Sequence, residues 1–440
     1  MINCLKNLRS YLLLWGTQAL SGLGSAMTNF ALLIWLYQKN GSALETALLS
    51  VCSYAPYVIM SIFAGALSDR WDKRRTMLVC DFLAAACTVM VLILLKLQLL
   101  QAWHMYVLNA VNGLMNTVQQ PASDVAATLL IPQEYYQKTS GLRSFSQSLT
   151  TILTPVIASA LYAFSGMELV IAVDLATFSL AFIVLCFFIR IPDPPGGSKQ
   201  EETLTASTRI GLRWLKRNPL ILNLIFFLAF INLIASAFDA ALPALLLNRK
   251  AGGETVLGLV NSFAGAAMLA GSMLVTLFPA PKNRVKAICL SLLLSMGTEN
   301  FLLAFGRTPI IWYIGSILGW LSIPLMNANL DVILRTSISA DMQGRVFSCR
   351  NTLQFFSIPV GFLLGGLLVD RVLEPWMASV SDSSLLVGMF GSGKGSGAAL
   401  LFFILGIAGV LVCIVYWIIL RKYVWDDKDG FVSTCTKGSF

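Results

Sequence analysis

Apolar residues run through this chain in long unbroken stretches, with neither the alternation of strands nor the one-sided stripe of a soluble helix. Twelve such stretches stand out, at 11–37, 44–68, 76–97, 103–128, 141–164, 168–190, 219–247, 255–280, 284–305, 309–334, 348–370 and 398–422. A helix rises about 1.5 Å per residue, so roughly 20 apolar residues cross a ~30 Å hydrocarbon core. A barrel would alternate at every second residue, and these runs do not. The pattern predicts an all-α integral membrane protein of about twelve transmembrane helices. The first run has no small-residue cleavage site, so it reads as a retained span and not as a signal peptide.

The one long polar connection inside the chain is 191–217. It opens Pro192-Asp193-Pro194-Pro195-Gly196-Gly197 and turns amphipathic through Arg209–Arg217, a pattern that predicts Trp214 and Leu215 on a membrane interface. Six spans precede it and six follow. The expected organisation is a first half at 1–190, a linker at 191–217, a second half at 218–425 and a tail at 426–440.

Composition agrees with the pattern. Only 12% of residues are charged and mean hydropathy is +0.75, against about 25% charged in a soluble domain. Of the 31 Lys and Arg, 24 fall on the side that carries the N-terminus and the even-numbered connections. The positive-inside rule then predicts a multi-pass protein of the cell membrane with both termini cytoplasmic. Anionic lipid and topology account for the net charge of +9, so nucleic acid is not an expected partner. The nine cysteines are scattered without a Cys-x-x-Cys pair and His104 is the sole histidine. No metal, no cofactor and no enzyme active site is expected. The run Gly391-Ser-Gly-Lys-Gly-Ser lacks phosphate-loop spacing and reads as a flexible outer loop.

The halves echo one another. Asp124, Arg143 and Gln147 recur as Asp331, Arg350 and Gln354, each displaced by 207 residues. In both sets the Asp ends one span and the Arg opens the next.

Polar residues inside spans are costly unless they face other helices or water, which makes them functional candidates. Asn109, Asn112, Asn116 and Gln119 share one face of the fourth span. Gln18, Asn29, Asn232, Trp320 and Asn327 lie in the first, seventh and tenth spans. Their readings are cavity lining or hydrogen bonds between helices. Among the acids, Asp239 is the first candidate for carrying a proton and Asp174 the second. The first span holds no acid.

Between the second and third spans the chain reads Gly65-x-Leu67-x-Asp69-Arg70-x-x-x-Arg74-Arg75. Gly65 suits close helix approach, Asp69 suits a helix cap, and the arginines have Asp81 and Asp124 as their nearest acidic candidates. This block resembles the signature of the same loop in the major facilitator superfamily, apart from Asp72 where the family usually has Gly. Trp15-Gly16-Thr17-Gln18-Ala19, Thr28-x-x-Ala31-Leu32, Gly41-Ser42-Ala43, Asp81-Phe82-Leu83 and Gly344-Arg345-Val346 resemble its macrolide-efflux-type and enterobactin-exporter-type subgroup. The resemblance implies two six-helix pseudo-repeat halves, the major facilitator fold. Its central cavity would be lined by spans 1, 4, 7 and 10. A cytoplasmic gate would comprise Gly65, Asp69, Arg70, Arg74, Arg75, Asp81, Asp124, Arg143, Asp331 and Arg350. It also implies proton-coupled efflux of amphipathic small molecules by alternating access. Protons or sodium, membrane lipid and a small-molecule substrate are then the partners, and the protein is expected to be a monomer. Import of a metabolite by the same fold is the alternative, and a non-transporting receptor is a third reading.

Overall fold

The computed structural model describes residues 9–70, 72–130, 136–191, 204–279, 281–338, 343–381, 383–421, 423–426 and 430–432. Within these, the side chains at 61–70, at several positions of 121–145, and at 204–208, 335, 343–344, 348 and 424–432 lie outside the description. The expected gate residues Gly65, Asp69, Arg70, Asp124 and Arg143 fall there.

The chain forms two compact units. One is Met1–Gly41 with Leu48–Leu204, and the other is Ser42–Ala47 with Thr205–Phe440. The first unit is built from α1 (Arg9–Asn40), most of α2 (Ala43–Arg70), α3 (Lys73–Lys96), α4 (Ala102–Leu130) and α5 (Tyr136–Phe187). The 52 residues of α5 would make a rod of about 78 Å, more than twice a bilayer core. Gly166 interrupts it with φ 72° and ψ −166°, so α5 holds the two spans expected at 141–164 and 168–190. Among the described residues, ten helical stretches are long and apolar enough to cross a membrane. α5 counts once among them, and α4 with its asparagines is not one of them. With α5 read as two spans and α4 added, they correspond to the twelve expected.

α1 packs chiefly on α5, and α3 on α4. Met27, Ala31, Leu36, Met105, Ala158 and Ile171 meet in one buried cluster, and Leu14, Met77, Ala122 and Leu185 in a second. On α3 the side chains of Val79, Phe82, Val89, Met90 and Ile93 stay exposed. Such a face would be an aggregation surface in water and is an ordinary one against lipid.

The second unit holds α6 (Leu204–Arg217), α7 (Pro219–Asn248), α8 (Glu254–Leu277), α9 (Arg284–Phe305), α10 (Pro309–Leu321), α11 (Ile323–Ser337), α12 (Gln343–Phe355) and α13 (Ser357–Leu367). A π-helical run follows at Leu368–Leu373, then α14 (Glu374–Ser379), α15 (Leu385–Phe390) and α16 (Ser396–Leu420). α7 packs on α13 and α16, and α9 on α16 and α10. Past residue 422, in the stretch expected as tail, Val424–Asp426 (β1) pairs antiparallel with Gly430–Val432 (β2).

Three features differ from the sequence expectations. The amphipathic end of the linker is helix α6, and of its apolar residues Leu215 is covered by protein, while Trp214 is half-buried and Leu212 exposed. Leu215 is fully buried, and at Gly211 the helix rests against Arg345 and Cys349 of α12. The glycine-rich loop at 391–396 is a folded structure. Gly391, Gly393 and Gly395 take φ of 81°, 79° and 90°, a left-handed region open to glycine. This shape turns the N–H groups of Gly395 and Ala398 onto Glu374 Oε1, at 2.8 and 3.4 Å. Arg249 donates to the carbonyls of Phe390 and Gly395. The loop does cradle an anion, but that anion is the chain's own carboxylate. Finally, Ser42–Ala47 joins the second unit because Asp370 of the π run caps the start of α2. It accepts from Ser42 Oγ at 2.6 Å, Ala43 N at 3.1 Å and Leu44 N at 2.9 Å. A carboxylate at a helix N-terminus satisfies amides that have no partner within the helix.

Candidate functional site

Small residues open a space inside the first unit. Ala19, Gly22 and Ala26 of α1 face Ala84 and Ala85 of α3 across a cavity of about 620 Å³. The rest of its wall is mostly polar, with Gln18, Ser25 and Asn29 on α1, Asp81 and Thr88 on α3, Asn116 and Gln119 on α4, and Gln147 and Asp174 on α5. Residues 18, 22, 25 and 29 recur at helical spacing, so one face of α1 supplies them. A second chamber of about 60 Å³ shares Ser25, Asn29, Thr88, Asn116 and Asp174 with the first, and adds Asn109 and Asn112. The asparagine stripe therefore faces polar space. Asn109 also reaches across to α2, donating to the carbonyl of Leu49 at 3.3 Å.

Two carboxylates anchor this wall. Gln18 Nε2 donates to Asp81 Oδ2 at 3.1 Å, and Gln119 Nε2 to Asp81 Oδ1 at 2.6 Å. Asp81 was expected among the arginines of the preceding loop; among the described residues its partners are Gln18 of α1 and Gln119 of α4, and it lines the cavity. The structure gives Arg74 a different partner. It donates to the carbonyls of Leu185, at 3.3 Å, and Cys186. These carbonyls end α5, where they lack helical partners and the helix dipole favours a cation. Arg75 is exposed; its backbone N–H donates to Asp72 Oδ1 at 2.6 Å, so Asp72 caps α3. Asp174, only 2% exposed, accepts from Ser25 Oγ at 3.0 Å.

α1 can lie so close to α5 because of Gly24. A methyl group there would collide with Thr177 Oγ1 and meet the Asp174 backbone at 3.0 Å. That contact brings Ser25 and Thr28 to Asp174. The sequence reading missed these hydroxyls, although Gln18, Ser21, Ser25 and Thr28 follow helical spacing in an otherwise apolar span.

The second unit uses its polar residues differently. Arg350 Nε donates to Gln354 Oε1 at 3.0 Å, while the Gln354 carbonyl accepts from Asn232 at 3.2 Å and Ser357 at 3.0 Å. Trp320 Nε1 donates to Glu299 Oε1 at 3.0 Å, and Glu299 is buried. Asp239 is exposed on a helix whose neighbouring residues Phe238 and Ala240 are buried. Asn327 and Asp331 are exposed as well.

The chain matches the model of the Major Facilitator Superfamily over residues 14–362. It belongs to that superfamily. This major facilitator chain is 24% identical over 363 residues to macrolide efflux protein A of Streptococcus pyogenes, covering 82% of the chain and 89% of that protein. It is 22% identical over 381 residues to the multidrug efflux pump Tap of Mycolicibacterium fortuitum, at 84% and 91% coverage. Solved major facilitator structures share its fold. The nucleoside transporter NupG superposes with a TM-score of 0.67 at 12% identity, over 93% of this chain and 98% of that one. A bacterial homolog of the human lysosomal transporter Spinster superposes with a TM-score of 0.65 at 15% identity, over 94% and 97%. The protein is thus a multi-pass membrane transporter of this superfamily whose relatives carry efflux names.

Proposed function

We propose that this transporter exports amphipathic, positively charged small molecules by alternating access, driven by proton exchange. The observation that carries the reading is the cavity of the first unit. It is large enough for part of a drug-sized molecule and lined by neutral polar groups together with Asp81 and Asp174. No described lining residue is basic. Such a wall favours a ligand cation and disfavours an anion, which selects a macrolide-like amine over a siderophore-like acid. The names of the relatives, macrolide efflux protein A and multidrug efflux pump Tap, point the same way. Asp239, an exposed carboxylate within a span, is the group we assign to the proton. The charge asymmetry of the connections supports cytoplasmic termini.

The test is accumulation of macrolides and lipophilic cationic dyes in cells with and without the gene, with and without a protonophore. Expression should lower accumulation, the protonophore should abolish the difference, and Asp239→Asn should do the same without a protonophore. Greater accumulation on expression would overturn export in favour of metabolite uptake.

A further inference from the structure

The small chamber beside the main cavity has a composition that transport of an organic cation does not explain. Its volume of about 60 Å³ holds about two waters, at roughly 30 Å³ each. Asp174 reaches it almost fully buried, and Ser25 Oγ bonds its carboxylate at 3.0 Å. The hydroxyls of Thr28 and Thr88 lie beside the same carboxylate. Thr28 is 4% exposed and its Oγ1 makes no hydrogen bond of acceptable geometry. Asn29, Asn112 and Asn116 add further side-chain amides to the wall. Among the described residues around this chamber there is no Lys, Arg or His to balance the charge.

A buried carboxylate within the membrane needs a neutralising partner. A proton would neutralise Asp174 and engage one of the surrounding oxygens. A small cation can draw on the carboxylate, the hydroxyls and the amide oxygens together, the all-oxygen shell that hard ions take. The charge count sets its valence. One carboxylate reaches the chamber, and no cluster of three acidic, Cys or His side chains occurs among the described residues, which disfavours a divalent ion. We propose that Asp174, Ser25, Thr28 and Thr88 form a binding site for a dehydrated sodium ion between α1, α3 and α5. This inference does not depend on what the protein exports.

The experiment is thermal unfolding of the purified full-length chain in detergent, followed by tryptophan fluorescence. It compares NaCl, KCl and choline chloride at one ionic strength. Sodium should raise the midpoint in a concentration-dependent way, as any ligand of the folded state does, and potassium and choline should not. Asp174→Asn should abolish the response. Thr28→Val should raise the sodium concentration needed about tenfold, the loss of one ligand, and Thr28→Ser should restore it. If Asp174→Asn does not fold, the Thr28 pair carries the test. An equal response to all three salts would overturn the proposal, as would a sodium concentration dependence that Thr28→Val leaves unchanged. A midpoint that moves with pH and ignores sodium would overturn it too, and would assign a proton to Asp174.

Discussion

Gln147 and Gln354 occupy equivalent places in the two halves, 207 residues apart, yet they do different work. Gln147 is exposed and forms part of the wall of the first unit's cavity. Gln354 is buried; its side chain accepts from Arg350 on the same helix, and its backbone carbonyl accepts from Asn232 and Ser357. The contrast extends beyond this pair. In the first unit, polar side chains from four helices face open space. In the second, Asp239, Asn327 and Asp331 are exposed, but other polar groups close helix against helix or loop against helix, as Trp320 does with Glu299 and Arg249 with the 390–395 loop. The first unit thus holds an open polar cavity, and at the matching positions the second unit packs helix on helix. The physical basis lies in side-chain size. α1 and α3 present Ala and Gly to each other, whereas α7 buries Phe227, Leu228, Ile231, Leu242 and Leu245.

The strongest way to break this contrast is to close the first unit's packing. Gly24→Val should push α1 off α5 and destabilise the protein by about 3 kcal/mol, read as a lower midpoint in thermal unfolding with loss of any sodium response. Next in size is Glu374→Ala, which leaves the loop amides and Arg249 without their carboxylate. It should cost about 2–3 kcal/mol and expose the 380–396 segment to protease. Asp81→Asn keeps the shape of the wall but can accept from only one of its two glutamines with unchanged geometry. We expect about 1–2 kcal/mol of destabilisation together with a clear loss of cationic-dye export and a smaller change for neutral dyes. The finest test compares the repeat positions directly. Gln354→Ala should cost about 1 kcal/mol, while Gln147→Ala should stay within about 0.5 kcal/mol and change only the transport assay. Equal stability losses at the two positions would remove the distinction between a cavity half and a locked half.

Much of the fold was legible because apolar run length is a strong signal: a bilayer leaves few ways to satisfy backbone groups. The asparagine stripe of α4 was legible for the same reason, since four polar residues on one face cannot all meet lipid. Asp81 was misplaced because sequence proximity to Arg74 and Arg75 suggested a pair. What the chain order could not show is that the carbonyl ends of α5 come to Arg74, while Gln18, far away in sequence, comes to Asp81. Leu215 was placed on lipid because an amphipathic pattern records that one face is apolar and not what covers it. Asp370 and Glu374 went unassigned since their partners are backbone amides, which leave no mark in composition.

The Gly391–Ala398 loop has one more consequence. Its amide groups form a receptor for an anion, and the guest that fills it, Glu374, is covalently part of the host. Its effective concentration is set by a short tether and not by the medium, so dissolved phosphate or sulfate has no vacancy to compete for. Remove the tethered guest and the same amides, with Arg249 beside them, become a receptor for free anions. The Glu374→Ala protein should then regain stability as phosphate is added, a dependence absent from the parent.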